Sequence, residues 1–440
     1  MNHTQESLNL TTEISDKIGN KTFHHHYHIL YDISETFTKD KTVNYLEIGC
    51  YAGGSACLLL QRPNTNVISI DLGSPISKNV VEENVTKLNK HKNNYTYIEG
   101  NSHLISTYDR VSNIVDNIDI LFIDGDHTYD GARTDFEMYS KLVNDGGYII
   151  FDDYNDSQFS PDVKRYVDDL VKTLGDEYEI IGTLPNTFNA RPESFVDGNC
   201  FIIKKNIKIG IIIPTYQRND GKTLGYLKRA LTSIKNQTFK NYKVFLIGDR
   251  YENNEEFNEI ASSIIDVDKI YFENLPVAQE RDNYTNKYAV WNYGGVNSTN
   301  HGIEISLKHG YNYISHLDHD DHWLPEHLSN ISKVIAETSS PFICTKSTYG
   351  GAILPSMTSF NEIIDFTPGC GKLIHSSVCV NFNMIPLRYR DLYKETGQVS
   401  NPSDGDLWNR IGEWLRDNNK KGYLFNKTTC THEEEGYERR

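Results

Sequence analysis

IKIGIIIPTYQR, residues 207–218, opens as an apolar run and ends in proline, threonine, tyrosine and arginine. A short apolar run that does not alternate with polar residues is a fully buried strand. What precedes it gives it meaning. From about Val43 the chain alternates short apolar runs with helix-length amphipathic stretches, the pattern of an α/β domain with a parallel sheet. The runs are VNYLEIG (43–49), NVISIDLG (66–73), YTYIEG (95–100), IDILFIDG (118–125) and GYIIFDDY (147–154). A last pair, YEIIGTL and CFIIKK, closes that sheet near Lys205. After a short KKN link the pattern restarts at residue 207 and continues with YKVFLIGD (242–249), KIYFEN (269–274) and YNYISHLDHDD (311–321). Two fresh first strands predict two α/β domains, 43–205 and 206–440, behind a helical lead-in over 1–42.

Composition bounds the partners. At 440 residues the chain is too long for one ordinary core, and 38% hydrophobic with 11% aromatic residues is ample for two. The formal net charge of -16 argues against a nucleic-acid duplex or an anionic membrane as the main partner. A nucleotide ligand remains compatible, because a divalent cation can bridge acidic side chains to phosphate. Seven scattered cysteines read as reduced thiols. The start, MNHTQESLNL, lacks the pattern of a signal peptide, and no apolar run reaches membrane-span length. The expectation is a cytoplasmic protein.

In the first half, LEIGCYAGGS (46–55) follows a strand and opens a helix. Gly49, Gly53 and Gly54 permit a tight turn and close backbone approach to a ligand. Asp71 ends the next strand, where a carboxylate can accept hydrogen bonds from ribose hydroxyls. Asp124 and the pair Asp152–Asp153 end two strands expected to be neighbours, which puts three carboxylates at the ligand-bearing edge. Oxygen ligands suit Mg²⁺, Mn²⁺ or Ca²⁺ rather than zinc. FHHHYH (23–28) looks like a metal box, but on a helix only His24 and His28 share a face, and no nearby acid completes a zinc set.

The combination E-I-G-x-x-x-G-G-S, IDGDHTYDG and NDGGYIIFDDY resembles the class I S-adenosylmethionine-dependent methyltransferases. It is most similar to the metal-dependent branch with macrocin O-methyltransferase and the cephalosporin hydroxylase-like proteins. The resemblance covers roughly residues 40–205. It implies that Glu47, Gly49 and Gly53 line the methionine part of the cofactor, that Asp71 binds its ribose, and that Asn101 stands where an aspartate is common. It further implies that Asp124, Asp152 and Asp153 hold Mg²⁺ or Mn²⁺ and lower the pKa of an acceptor hydroxyl. His127, three residues after Asp124, is the candidate general base, with a hydrogen-bonded turn histidine as the plainer alternative.

In the second half, the order strand-PTYQR, strand-Asp249, WNYGGVNSTNHGIEIS (291–306) and LDHDD resembles the GT-A glycosyltransferases, specifically the inverting family 2. The resemblance covers roughly residues 207–435. It implies that Thr215, Tyr216, Arg218 and Asp249 hold the uracil and ribose of a nucleotide sugar, a UDP-sugar. Asp318 and Asp320 would contact the metal and the diphosphate, whose leaving charge a cation stabilises. SDGDLWNRI (403–411) is similar to the family's acceptor-base segment, which makes Asp404 the base and Asp406 its competitor. His432 is a candidate metal ligand reaching back from the C-terminus. On this reading HLDHDDHW (316–323) is not a histidine box, and His316, His319 and His322 become neighbours of the working aspartates.

The expected function is a bifunctional enzyme that transfers a sugar and O-methylates a sugar hydroxyl, acting on small-molecule and glycan substrates. Its two Rossmann-like domains would be a class I methyltransferase fold followed by a GT-A fold. The alternatives are a glycosyltransferase whose first domain only binds, and a non-catalytic glycan-binding protein. A zinc hydrolase finds no H-E-x-x-H helix in support. Oligomeric state stays open.

Overall fold

The computed structural model describes residues 5–19, 27–115, 117–183 and 200–433, and its contacts divide the chain between Asn206 and Ile207, apart from the short segment Ala336–Thr338. Two helices, Gln5–Ile18 and His28–Ser34, lead into the first unit. Residues 23–26 of the histidine-rich stretch lie outside the described residues, and His28 is fully buried.

The first sheet has seven strands: β1 (Val43–Ile48), β2 (Thr65–Asp71), β3 (Asn94–Glu99), β4 (Ile118–Ile123), β5 (Val143–Phe151), β6 (Tyr178–Thr183) and β7 (Phe201–Lys205). Their order is β3-β2-β1-β4-β5-β7-β6. The first five pair in parallel, whereas β7 runs antiparallel to both β5 and β6. Every side chain of β4 is buried, as a strand covered on both faces requires. Strand order reverses between β1 and β4, so the loops leaving their C-terminal ends diverge and open a crevice there.

The second sheet contains β8 (Ile209–Thr215), β9 (Tyr242–Asp249), β10 (Ile270–Leu275), β11 (Tyr313–His316), β12 (His322–Trp323), β13 (Phe342–Tyr349), β14 (Ala352–Leu354), β15 (Ile363–Asp365), β16 (Val378–Asn381) and β17 (Gly422–Thr431). Its order is β10-β9-β8-β11-β16-β13-β17-β12, with β14 on β13 and β15 on β17. The four strands β10, β9, β8 and β11 are parallel, and β16 runs antiparallel to β11. The helix Thr223–Lys235 buries Leu227, Ala230, Leu231 and Ile234, the spacing of one helical face, against β8 and β9. Gly302 in the helix Val296–Lys308 lies under Ile212 and Ile247, where a Cβ would approach Ile212 to 2.9 Å. The reversal here falls between β8 and β11, which places PTYQR and LDHDD side by side at one sheet edge.

Candidate functional sites

In the first unit the crevice is a cavity of about 600 Å³ lined by Gly49, Asp71, Asn101, Asp124, His127 and Asp153, among others. Asp71 holds the glycine turn: Oδ2 accepts from the backbone N–H of Cys50 at 2.9 Å and of Tyr51 at 3.1 Å, and Oδ1 from Gly73 at 2.8 Å. Gly49 has φ +83°, and a Cβ there would sit 2.0 Å from the carbonyl oxygen of Asp124. Its glycine requirement thus comes from the adjoining chain of the sheet. Gly53, at φ +81°, caps the helix Gly54–Leu59. Asn101 lines the cavity and accepts the N–H of His103 at 2.8 Å.

Glu47 is buried beneath this floor, where its carboxyl takes hydrogen bonds from Tyr45, Ser55 and Ser69. Burial outweighs those bonds and pushes its pKa up to about 7. Glu47 therefore organises the wall behind the cavity.

Asp124, His127 and Asp153 bring one ligand atom each to within 4.8 Å of one another. Asp152 is buried outside this set, and the cavity lining does not include it. The reason is strand alternation, which turns successive residues to opposite sides, followed by the left-handed turn of Asp153 at φ +53°. His127 Nε2 lies 3.3 Å from Asp124 Oδ1, and its Nδ1 lies 2.8 Å from the Ser160 hydroxyl, which donates to Asp153 Oδ2 at 3.2 Å. The hydrogen bond with Asp124 leads in raising the imidazole pKa to about 9, against the opposing effect of burial. Two carboxylates and an imidazole this close together are a donor set that suits a divalent cation. Tyr27, which lies within FHHHYH (23–28) but was not singled out there, donates to Asp124 Oδ2 at 3.2 Å. Ser160 belongs to no motif.

In the second unit, the Thr215 hydroxyl is buried 2.6 Å from that of Tyr251. Arg218 chelates Asp220 through Nε at 3.0 Å and a terminal nitrogen at 2.8 Å. Arg281, which no motif flagged, joins two of the expected nucleotide contacts. Its guanidinium lies 3.5 Å from the ring centroid of Tyr216, and its Nε donates to Asp249 Oδ2 at 3.0 Å. Burial raises the pKa of Asp249 while Arg281 opposes the rise.

The acidic loop follows β11. Asp318 Oδ1 lies 2.9 Å from Nδ1 of His375, and Asp321 pairs with Nδ1 of His432 at 3.0 Å. Pairing of β12 with β17, His322 opposite Thr431, carries His432 to this loop across 111 residues of sequence. Burial opposes ionisation of Asp318, but His375 outweighs it and holds that carboxyl low. Among the described residues Asp320 has no such partner; burial, then repulsion by Asp318 and Asp321, pushes it up to about 7. Crowded oxygens with an excess of negative charge fit a cation, although Asp318, Asp320 and His432 do not converge to within 4.8 Å as the first unit's set does. His316 and His319 are buried, and burial lowers the pKa of both, His319 to about 4.

Asp404 and Asp406 share the first turn of the helix Ser403–Asp417 but differ in surroundings. Asp406 takes hydrogen bonds from Arg390 at 2.7 and 3.1 Å and from Arg410 at 2.7 Å. Burial disfavours its charge, yet the two guanidiniums prevail and keep it ionised. Among the described residues Asp404 has no arginine partner, and burial raises its pKa, with His375 opposing.

Two α/β units, each with its acids at a strand-order reversal, define a methyltransferase-like domain followed by a GT-A glycosyltransferase domain. Residues 46–154 match the family model for a methyltransferase domain, and residues 210–353 match that for glycosyl transferase family 2. An uncharacterized glycosyltransferase of Acanthamoeba polyphaga mimivirus is 38% identical over 239 residues, 52% of this chain and 95% of its own length. An uncharacterized protein of the same virus is 38% identical over 181 residues, 39% of this chain and 81% of its own. The chain belongs to glycosyl transferase family 2 and carries a methyltransferase domain ahead of the transferase. Among solved structures, Staphylococcus aureus TarS with UDP-GlcNAc is 15% identical, over 52% of this chain and 60% of that chain, at a TM-score of 0.37. The MycE methyltransferase of mycinamycin biosynthesis, with Mg, SAH and mycinamycin VI, is 19% identical over 44% of this chain and 54% of that chain, at a TM-score of 0.33. The chain spans less than two thirds of either of those chains.

Proposed function

We propose that the chain is a bifunctional glycan-modifying enzyme. The glycosyltransferase domain transfers a sugar from a nucleotide sugar, a UDP-sugar, with inversion, and the first domain O-methylates a sugar hydroxyl using S-adenosylmethionine. The observation that carries the first activity is the contrast at the helix Ser403–Asp417: Asp406 is saturated by two arginines, whereas the carboxyl of Asp404 is left to accept a proton. As the acceptor oxygen attacks the anomeric carbon, Asp404 takes its proton and the bond to the diphosphate breaks, releasing UDP. Tyr216 and Asp249 hold the nucleoside, with Thr215 and Arg218 supporting the loop. Asp318, Asp320 and His432 would hold Mn²⁺ or Mg²⁺, which when bound neutralises charge on the diphosphate.

In the first domain the cavity lined by Gly49, Asp71 and Asn101 takes S-adenosylmethionine. Asp124 and Asp153 would hold the cation, with Asp152 supplying charge behind them. His127, oriented by Ser160, would accept the hydroxyl proton once a cation on Asp124 and Asp153 has displaced the proton those carboxylates otherwise hold on its ring, as the oxygen takes the methyl group and the carbon–sulfur bond breaks. UDP release from UDP-sugars with Mn²⁺ tests the transferase: Asp320→Ala is expected to abolish it, and release persisting in that variant overturns the metal assignment. Calorimetric titration with S-adenosylmethionine tests the other half, and no heat would leave a domain that does not use this cofactor.

A further inference from the structure

The turn His375–Ser377 belongs to none of the motifs, yet it grips the acidic loop at several points. The Ser376 hydroxyl accepts the N–H of Asp318 at 3.0 Å and donates to Asp321 Oδ2 at 2.5 Å. The Ser376 carbonyl accepts the indole N–H of Trp323 at 2.7 Å. His375 completes the grip, with Nδ1 2.9 Å from Asp318 Oδ1 and Nε2 2.8 Å from the hydroxyl of Tyr389. A carboxylate only accepts, so Nδ1 carries a hydrogen and donates to Asp318 whatever the charge on the ring. The contact with Tyr389 fixes the other side of the ring. Tyr389 is buried and remains a phenol, because burial raises its pKa well above the ordinary tyrosine value. Rings of His316 at 4.8 Å and Trp408 at 6.0 Å flank the imidazole and fix its plane.

We propose that His375 is a positioning residue for the donor-side divalent cation: it occupies Oδ1 of Asp318, so that Oδ2 is the oxygen presented, and Tyr389 holds the ring in place from its other nitrogen. The inference rests on Asp318 being a metal contact, as proposed above. An outer hydrogen bond of this kind orients a ligand carboxylate, and its loss costs about 10–100-fold in metal affinity.

The two ring nitrogens can be separated by substitution. An asparagine amide places its N–H near the position of Nδ1, whereas a glutamine amide reaches toward that of Nε2. Both remove the ring, so they share any packing defect. Mn²⁺ binding to the full chain with UDP present, read by electron paramagnetic resonance, is expected to weaken about 10–100-fold in His375→Gln. His375→Asn should stay within several-fold of the unaltered protein. UDP binding without Mn²⁺ should be the same in all three. Tyr389→Phe should weaken Mn²⁺ less than His375→Gln does. Equal weakening in the asparagine and glutamine variants, or a matching loss of metal-free UDP binding, overturns the positioning role in favour of simple packing. Unaltered protein that binds UDP but no Mn²⁺ overturns the Asp318 reading itself, and with it this inference.

Discussion

At the scale of single residues, protonation separates groups that look alike in sequence. Glu47 has an ordinary pKa of 4.5 and a folded value of about 7. Between those values the folded chain keeps a proton that the unfolded chain has lost, so the unfolding free energy falls as pH rises through that window and levels off above it. The contribution of this one group is about 3 kcal/mol. Glu47→Gln should flatten that segment of the pH–stability curve and raise stability at pH 8, measured by urea unfolding. An unchanged slope would mean that the carboxylate is ionised in the fold. The same contrast separates Asp404 from Asp406. Asp404→Asn should lower sugar transfer by about 10²–10⁴-fold while UDP binding persists. Asp406→Asn should instead lower the melting temperature, by roughly 2–3 kcal/mol of stability, because it leaves two guanidiniums without their shared acceptor. Equal loss of transfer with no loss of stability in Asp406→Asn would reverse the assignment.

At the scale of elements, strand ends and short turns decide what the sites contain. β1 must turn within one residue to pass the backbone of Asp124, and only glycine has both the φ and the space. Gly49→Ala is expected to destabilise the first domain by more than about 2 kcal/mol and to abolish S-adenosylmethionine binding. Wild-type melting and titration heat in that variant would show that the turn can move. The turn His375–Ser377 plays the corresponding part in the second domain, where it fixes Asp318 and Asp321 rather than touching a ligand of its own. β12 and β17 matter through register: a slip of their pairing would withdraw His432 from Asp321.

At the scale of the whole molecule, each unit has its own sheet, core clusters and strand-order reversal. Variants at one site are therefore expected to leave ligand binding at the other intact. Asp320→Ala should give the same calorimetric heat with S-adenosylmethionine as the unaltered chain, and Asp124→Asn should leave UDP release unchanged. Loss of both activities in either variant would indicate one cooperative unit. Local sequence was enough to determine the two α/β halves, most strand positions, and the acids at strand ends, because buried strands and helical faces have short periods that survive in a linear text. The closing strands were legible but their antiparallel direction was not, since strand direction depends on connection and pairing rather than composition. Nor was the division between Asp152 and Asp153, which depends on which way the backbone turns; Asp404 was preferred to Asp406 only through the family resemblance, because the arginines that distinguish them arrive from elsewhere. Tyr27, Ser160, Arg281, His375 and Tyr389 reach their sites only through tertiary contacts, and a contact between residues distant in sequence leaves no periodic trace at either end.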